Sequence, residues 1–297
     1  MVLGADLIVR SVVGGAFMGL ANLVPGISGG TMLLAVGIYP QFISGVAEVS
    51  TLRLRPAVLV MLASVGCAAV LAVAGGAGLI AAALDRSPWA MYSLFIGLTL
   101  GGVPMLWAAV RPLDATIVLN ATTAIIMMAL LAVIDPESFG HGGASGLSAV
   151  LLLVLAGAAG GAAMILPGVS GAYLLLILGQ YRTIVDAVAA AADAGRSADI
   201  AAVLTTANVL APVAVGVGVG IVGVSNIVKL LLARHERATL GFLLGLLLGA
   251  VIGLWPFGDA TPTPWQASAA LTLVATGFLC SWGISYLGQV KRNASTR

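Results

Sequence analysis

NLVPGISGGTMLL, Asn22 to Leu34, has a near copy in MILPGVSGAYLLL, Met164 to Leu176. In both, a proline and glycines interrupt aliphatic runs that would otherwise continue as helix. Proline removes a backbone donor and disfavours helix for the residue before it, so Val24-Pro25 and Leu166-Pro167 should each end a helix. Gly26 and Gly168 permit a turn, and Ser28 and Ser170 are good N-cap residues for a second helix beyond it. Each copy reads as helix, turn, new helix.

The surroundings decide what such a break means. Of 297 residues, 60% are hydrophobic and 8% charged, against roughly 25% charged in a soluble domain. Apolar runs of about 20 residues, the length that crosses a hydrocarbon layer, succeed one another from near the start to Gly288. They are continuous and rich in Gly, Ala and Leu rather than short and alternating, which excludes a β-barrel and leaves an all-α polytopic membrane protein. The opening MVLGADLIVRSVVGGAF lacks a basic region followed by a small-residue cleavage site, so no removable signal peptide is expected. Cys67 and Cys280 lie in apolar segments and suggest neither a disulfide framework nor a metal site. A net charge of +2 with no basic stripe argues against nucleic acid, and no cofactor motif is present.

The two copies extend well beyond the proline. At an offset of 142 residues Gly19 matches Gly161, Pro25-Gly26 matches Pro167-Gly168, Ser28-Gly29 matches Ser170-Gly171, Gly37 matches Gly179 and Tyr39 matches Tyr181. A second block, FIGLTLGGVPMLW from Phe95, resembles LLGLLLGAVIGLW from Leu243 at an offset of 148. The chain therefore divides into repeats at 1–145 and 146–297. Apolar helices are expected near 7–24, 31–49, 56–84, 88–110 and 114–134, then near 147–166, 172–191, 200–233, 239–256 and 265–288. Five segments per half is an odd number, so the second repeat starts on the opposite side and the repeats are inverted.

Charge placement orients them, because cytoplasmic loops collect Lys and Arg. With both termini inside, the inner ends hold Arg10, Arg53, Arg55, Arg111, Lys229, Arg234, Arg237, Lys291, Arg292 and Arg297, ten of 13 basic residues. The outer ends hold Arg86, Arg182 and Arg196, along with Asp85, Asp135, Glu137, Asp186, Asp193, Asp199 and Asp259.

Arg10 precedes Pro25 by 15 residues and Arg182 lies 15 beyond Pro167, a path of ~22 Å in helix. That spacing puts both arginines near an interface if the turns lie near the midplane, and we expect re-entrant or broken hairpins there. Spanning pairs with a polar loop at the far surface are the alternative. Irregular backbone at membrane depth is tolerated only against protein or a wet cavity, and in transporters built from inverted repeats such breaks aim helix N-termini at anions. Gly29, Gly30 and Gly171 admit a ligand to the backbone, while the hydroxyls of Ser28, Thr31 and Ser170 can donate; an anion is the natural ligand. The copies differ at one place, where Gly30-Thr31 becomes Ala172-Tyr173, so unequal contributions are expected.

GAFMGLANLVPGISGGTMLLAVGIYPQFI with its reduced copy LPGVSGAYLLLILGQY resembles the bacterial polyprenyl-phosphate transporter family, over nearly the whole chain. The resemblance implies return of an undecaprenyl-phosphate type of lipid carrier from the outer to the cytoplasmic leaflet of the inner membrane, for envelope polymer synthesis. Polyprenyl phosphate, surrounding lipids, a coupling proton or sodium ion and a second copy in a homodimer are the implied partners. Two helix ends supply about half a unit of positive charge each, against −1.5 to −2 on a phosphate monoester. A full cation is therefore expected, with Arg10 and Arg182 as candidates; snorkelling to lipid headgroups is their other use.

Asn22 and Asn120 could line a route or bond neighbouring helices. Glu48 and Asp186 are candidates for ion coupling or are solvated helix ends. Tyr39 and Tyr181 suit a pathway or an aromatic belt. Gly157, Gly161, Gly216 and Gly220 form faces for helix packing. Gly168-Val169-Ser170-Gly171 resembles the nucleophile motif of intramembrane serine proteases, but the base such chemistry needs is missing. His141 and His235 fall in loops on opposite sides. A transporter or channel for a small soluble anion is the rival reading.

Overall fold

A computed structural model describes residues 5–22, 28–133, 146–197, 199–257 and 261–295. Pro25 and Gly26 of the first motif, with Asp135, Glu137, His141, Asp259 and Arg297, lie outside the described residues. Among the described residues the chain is helical, without strands. Its first part forms α1 (Ala5–Asn22), α2 (Gly29–Ala35), α3 (Tyr39–Ser50), α4 (Pro56–Arg86), α5 (Pro88–Leu100), α6 (Val103–Val110) and α7 (Ala115–Val133). The second forms α8 (Leu147–Ile165), α9 (Gly171–Ile177), α10 (Tyr181–Arg196), α11 (Ile200–Arg234), α12 (Glu236–Gly249) with a 3-10 turn at Ile252–Leu254, and α13 (Pro264–Ser295). Among the described residues six stretches are long and apolar enough to cross a membrane, and eight if the pairs α2–α3 and α9–α10 each count as one bent span.

One expectation needs correction. The arms expected as single helices at 31–49 and 172–191 are each two helices, α2 with α3 bent by 120° and α9 with α10 bent by 118°. The cause is local and occurs twice. Gly37 and Gly179 adopt φ of 76° and 67°, a left-handed conformation that ends helices. The amides of Gly37 and Ile38 turn back onto the carbonyls of Leu34 and Leu33, and those of Gly179 and Gln180 onto Leu176 and Leu175. With the helix closed off in this way, Tyr39-Pro40 starts α3, where proline loses no needed hydrogen bond.

The most extensive packing joins α1 to α4 and α8 to α11. Broad contacts also cross the chain, α5 on α13 and α12 on α7. Glycines set the spacing: a Cβ on Gly15 or Gly19 would strike the backbone of Val65 or Ala69, and one on Gly157 or Gly161 that of Val213 or Val217. Gly216 and Gly220 face Val154 and Ala158 in the same manner, and Gly241 and Gly245 meet Ile117 and Ala121. With no hydrophobic drive between helices in lipid, such backbone contact supplies the dispersion energy that holds them together. Large side chains left outside, among them Leu71, Leu119, Leu130, Leu151 and Val215, are suited to acyl chains.

Polar contacts gather several loops at one face. Arg237 pairs with Asp114 at 2.6 Å and donates to the Pro112 carbonyl, and Asn226 near the end of α11 donates to Ser50 at the end of α3. The Ile117 amide and the Arg237 guanidinium together hold the Asp114 carboxyl below its ordinary range.

Overpacking the glycine contacts should separate the helices. Gly161→Val or Gly245→Val is expected to cost about 1–3 kcal/mol or more and to lower the melting temperature in detergent markedly. Gly223→Ala, at a position with open space around it, should leave it unchanged or slightly raised.

Candidate functional site

Pro167 ends α8 and leaves the Ala163 carbonyl without its helical donor, the amide four residues on, which proline lacks. The Leu166 carbonyl at the helix end accepts from the Val169 amide at a long 3.4 Å. Away from water such oxygens are completed by a donor from the protein. Ser28, from the other motif, supplies it: its Oγ donates to the Leu166 carbonyl at 2.8 Å and lies 3.4 Å from that of Ala163. Contact runs the other way as well, because the Gly168 amide donates to Thr31 Oγ1 at 2.8 Å. Motifs far apart in sequence thus complete one another's backbone.

This lock is tight and dry. Ser28 is 3% exposed, Thr31 1% and Ser170 6%. A Cβ on Gly30 would lie 2.7 Å from the Ile165 carbonyl, so the first copy needs glycine where the second carries Ala172. Gly168 has φ of 87° and its α-carbon faces the Leu246 carbonyl of α12, with no room for a side chain. Ser170 caps α9 as expected, accepting from the Tyr173 amide at 3.3 Å. Ser28 makes no such cap on α2, because its hydroxyl is drawn across to α8. Tyr173 donates its hydroxyl to the Leu131 carbonyl of α7, which accounts for the second departure between the copies.

Beside the lock a cleft of about 100 Å³ runs between Gly168, Val169, Ser170 and Tyr173 on one side and Leu131 and Gly253 on the other. At roughly 30 Å³ per water it has room for about three. Among the described residues its lining carries no charged side chain.

The sequence-derived candidates are thus divided among several places. Ser28, Gly30 and Thr31 meet Gly168 and the end of α8 that Pro167 closes, Gly29 lies against α1, and Ser170 and Gly171 begin α9 after the same turn. Asn22 ends α1 and packs its amide group against Gly29. Arg10 is 7% exposed on α1, its Nε 3.1 Å from the Asp6 carboxylate. Arg182 and Asp186 are exposed on α10. Tyr39 is buried and Tyr181 partly so. Glu48 is partly buried, 3.6 Å from Arg55, and one of its oxygens makes no hydrogen bond. Asn120 bonds the Thr116 carbonyl within its own helix. His235 is exposed at the α11–α12 junction. The walls of the cleft from α7 and the turn that follows α12, and Tyr173, were not foreseen as site elements; the mismatch of Tyr173 with Thr31 was their only sequence signal.

Comparison with known proteins bears on this geometry. A family model described as undecaprenyl phosphate translocase-like matches residues 18–272. A polyprenyl-phosphate transporter of Vibrio cholerae is 29% identical over 266 residues, covering 82% of this chain and 77% of the relative. One of Staphylococcus aureus is 27% identical over 274 residues, 90% of this chain and 92% of its own. No solved structure matches.

The lock can be tested by stability alone. Thr31→Val leaves the buried Gly168 amide without an acceptor and should cost about 1–3 kcal/mol, whereas Thr31→Ser should restore most of it. Equal melting temperatures for all three proteins would mean that the contact contributes nothing.

Proposed function

The chain belongs to the undecaprenyl phosphate translocase-like family, and from that premise we propose that it returns a polyprenyl phosphate carrier from the outer to the cytoplasmic leaflet. In this reading the halves 1–145 and 146–297 are inverted repeats in the bacterial inner membrane, with both termini cytoplasmic. The proline breaks lie near mid-membrane, each reached by a re-entrant hairpin. The observation that carries the proposal is the cleft at the second break, walled by α7, α9 and the turn that follows α12 and supplied with polar groups where lipid could supply none.

Moving a phosphate through hydrocarbon unaided would place its charge in low dielectric, at a cost of many kcal/mol. The protein must replace the lost water. The amides of Gly171 and Ala172 in the first turn of α9 are the replacements beside the cleft, with the Ser170 and Tyr173 hydroxyls exchanging their present contacts for the headgroup. Ser28 and Thr31 hold the opposite side of the break in shape, and Pro25 and Gly26 of the same motif are assigned to the headgroup site as well. The isoprenoid tail stays in lipid while the headgroup passes between the halves.

Ser170 works here as cap and ligand group rather than nucleophile, since no His, Asp, Glu or Lys among the described residues lines the cleft to activate it. Of the acidic candidates for coupling a proton or sodium ion, Glu48 is better placed than the exposed Asp186. Arg182 serves the membrane surface, its side chain reaching lipid headgroups.

The test is leaflet-resolved transport of polyprenyl phosphate in proteoliposomes, with and without ion gradients. Wild-type protein should move the lipid, and Ser170→Ala should slow it roughly tenfold, about 1.4 kcal/mol in the barrier, at equal reconstitution. Transport of inorganic phosphate but not of the lipid would replace this reading with that of a small-anion transporter.

A further inference from the structure

A cleft without charge leaves open where the phosphate finds its cation, and the first half of the chain holds an unused one. Arg10 is nine-tenths buried, and its Nε and Nη1 make no hydrogen bond. Asp6 lies 3.1 Å from Nε, with a third of its own side chain exposed, so it is near enough for charge neutralisation but leaves Nε and Nη1 without a hydrogen bond among the described residues. Buried donors without acceptors are uncommon and costly, and they call for a ligand or water.

The neighbourhood contains another orphan. Gly14, one turn after Arg10 and on the same helix face, packs on Leu33 and Ile38. Arg10 therefore lies one turn before a residue that touches the α2–α3 bend. Tyr39, the residue after Ile38, is 3% exposed, and its hydroxyl has no partner. Ile38 provides no side-chain cap to α3, a helix of 12 residues whose positive end starts here. The carbonyls at the end of α2 are already occupied by the amides of residues 36–38. The second half repeats the bend but not the cation: the position matching Arg10 at the 142-residue offset is Leu152.

Resting on the transporter reading, we infer that Arg10 and Tyr39 form a second phosphate station, and that Asp6 occupies Arg10 until a phosphate monoester displaces it. The station is separate from the lock. Met18 packs on Gly29, and Arg10 lies eight residues back along α1, about 12 Å at 1.5 Å per residue. A phosphate has acceptor oxygens enough for Nε, Nη1 and the tyrosine hydroxyl together, whereas the Asp6 carboxylate leaves all three without a hydrogen bond. The partly exposed Asp6 marks the side from which the headgroup arrives. Asp6 is thus a positioning residue, whose competition keeps binding reversible.

The experiment measures binding of a short-chain polyprenyl monophosphate and of inorganic phosphate to the full-length protein in nanodiscs, alongside lipid transport. Asp6→Asn should tighten phosphate binding roughly tenfold, while Arg10→Gln weakens it at least tenfold and Tyr39→Phe weakens it several-fold. Arg10→Lys, which keeps the charge but loses the fork, should fall between wild type and Arg10→Gln. Opposite signs for Asp6→Asn and Arg10→Gln separate a competing anion from a structural ion pair, which would lose stability in both variants with no change in affinity. That second pattern, in protein that still transports lipid, overturns the station and leaves the transporter reading standing. Failure of wild-type protein to transport lipid overturns the reading on which it rests. Binding of the lipid alone assigns the station to the headgroup, and equal binding of inorganic phosphate assigns it to free phosphate.

Discussion

Pro167 cannot donate to the carbonyl of Ala163, and the centre of the molecule is arranged around that unmet bond. In water the oxygen would be hydrated at little cost. Within an apolar bundle donors must come from the protein, and Ser28 of the opposite motif brings a hydroxyl that bonds the Leu166 carbonyl at 2.8 Å and lies 3.4 Å from that of Ala163. The return bond from Gly168 to Thr31 places a turn of one half against the start of a helix in the other. Gly30 must then be small, Gly168 must be left-handed, and α12 must lie against the turn. A fault in one backbone ladder thus fixes how the two parts of the chain meet.

The same arrangement explains why the two motifs are alike but not interchangeable. Serine occurs in both, yet Ser170 caps its own helix and Ser28 repairs the other. Threonine at 31 accepts a buried amide, while tyrosine at the equivalent 173 extends to α7 and forms a wall of the cleft. One side of the break is spent on backbone contacts and the other borders a cleft. Charge is divided as unevenly, with an uncharged cleft by the second motif and a buried Arg10 on the helix before the first.

Much of the fold could be read from the sequence, because in a membrane length and apolarity nearly define a helix. The repeat offset, the proline breaks and the glycine packing faces all come from residue type at fixed spacing, and the helices lie close to where those patterns put them. The bends at Gly37 and Gly179 were written in the sequence as a matched glycine pair, but their weight was hidden by continuous apolar composition across each arm. The site was harder to read. Which hydroxyl faces which carbonyl depends on how α2 meets α8, and no spacing along the chain encodes that. Arg10 and Arg182 look equivalent as letters near two interfaces, whereas packing buries one and leaves the other in the open.

The account depends most on the claim that the break between Ser28 and Ser170 takes the place of water around a lipid phosphate. An experimental structure of the protein in nanodiscs with polyprenyl phosphate bound addresses it directly. Phosphate density within hydrogen-bond distance of Ser170 and Tyr173, at mid-membrane depth and with the tail leaving sideways into lipid, is the expected result. A Pro167 turn bathed in bulk solvent at the membrane surface, with the headgroup bound elsewhere, would contradict it.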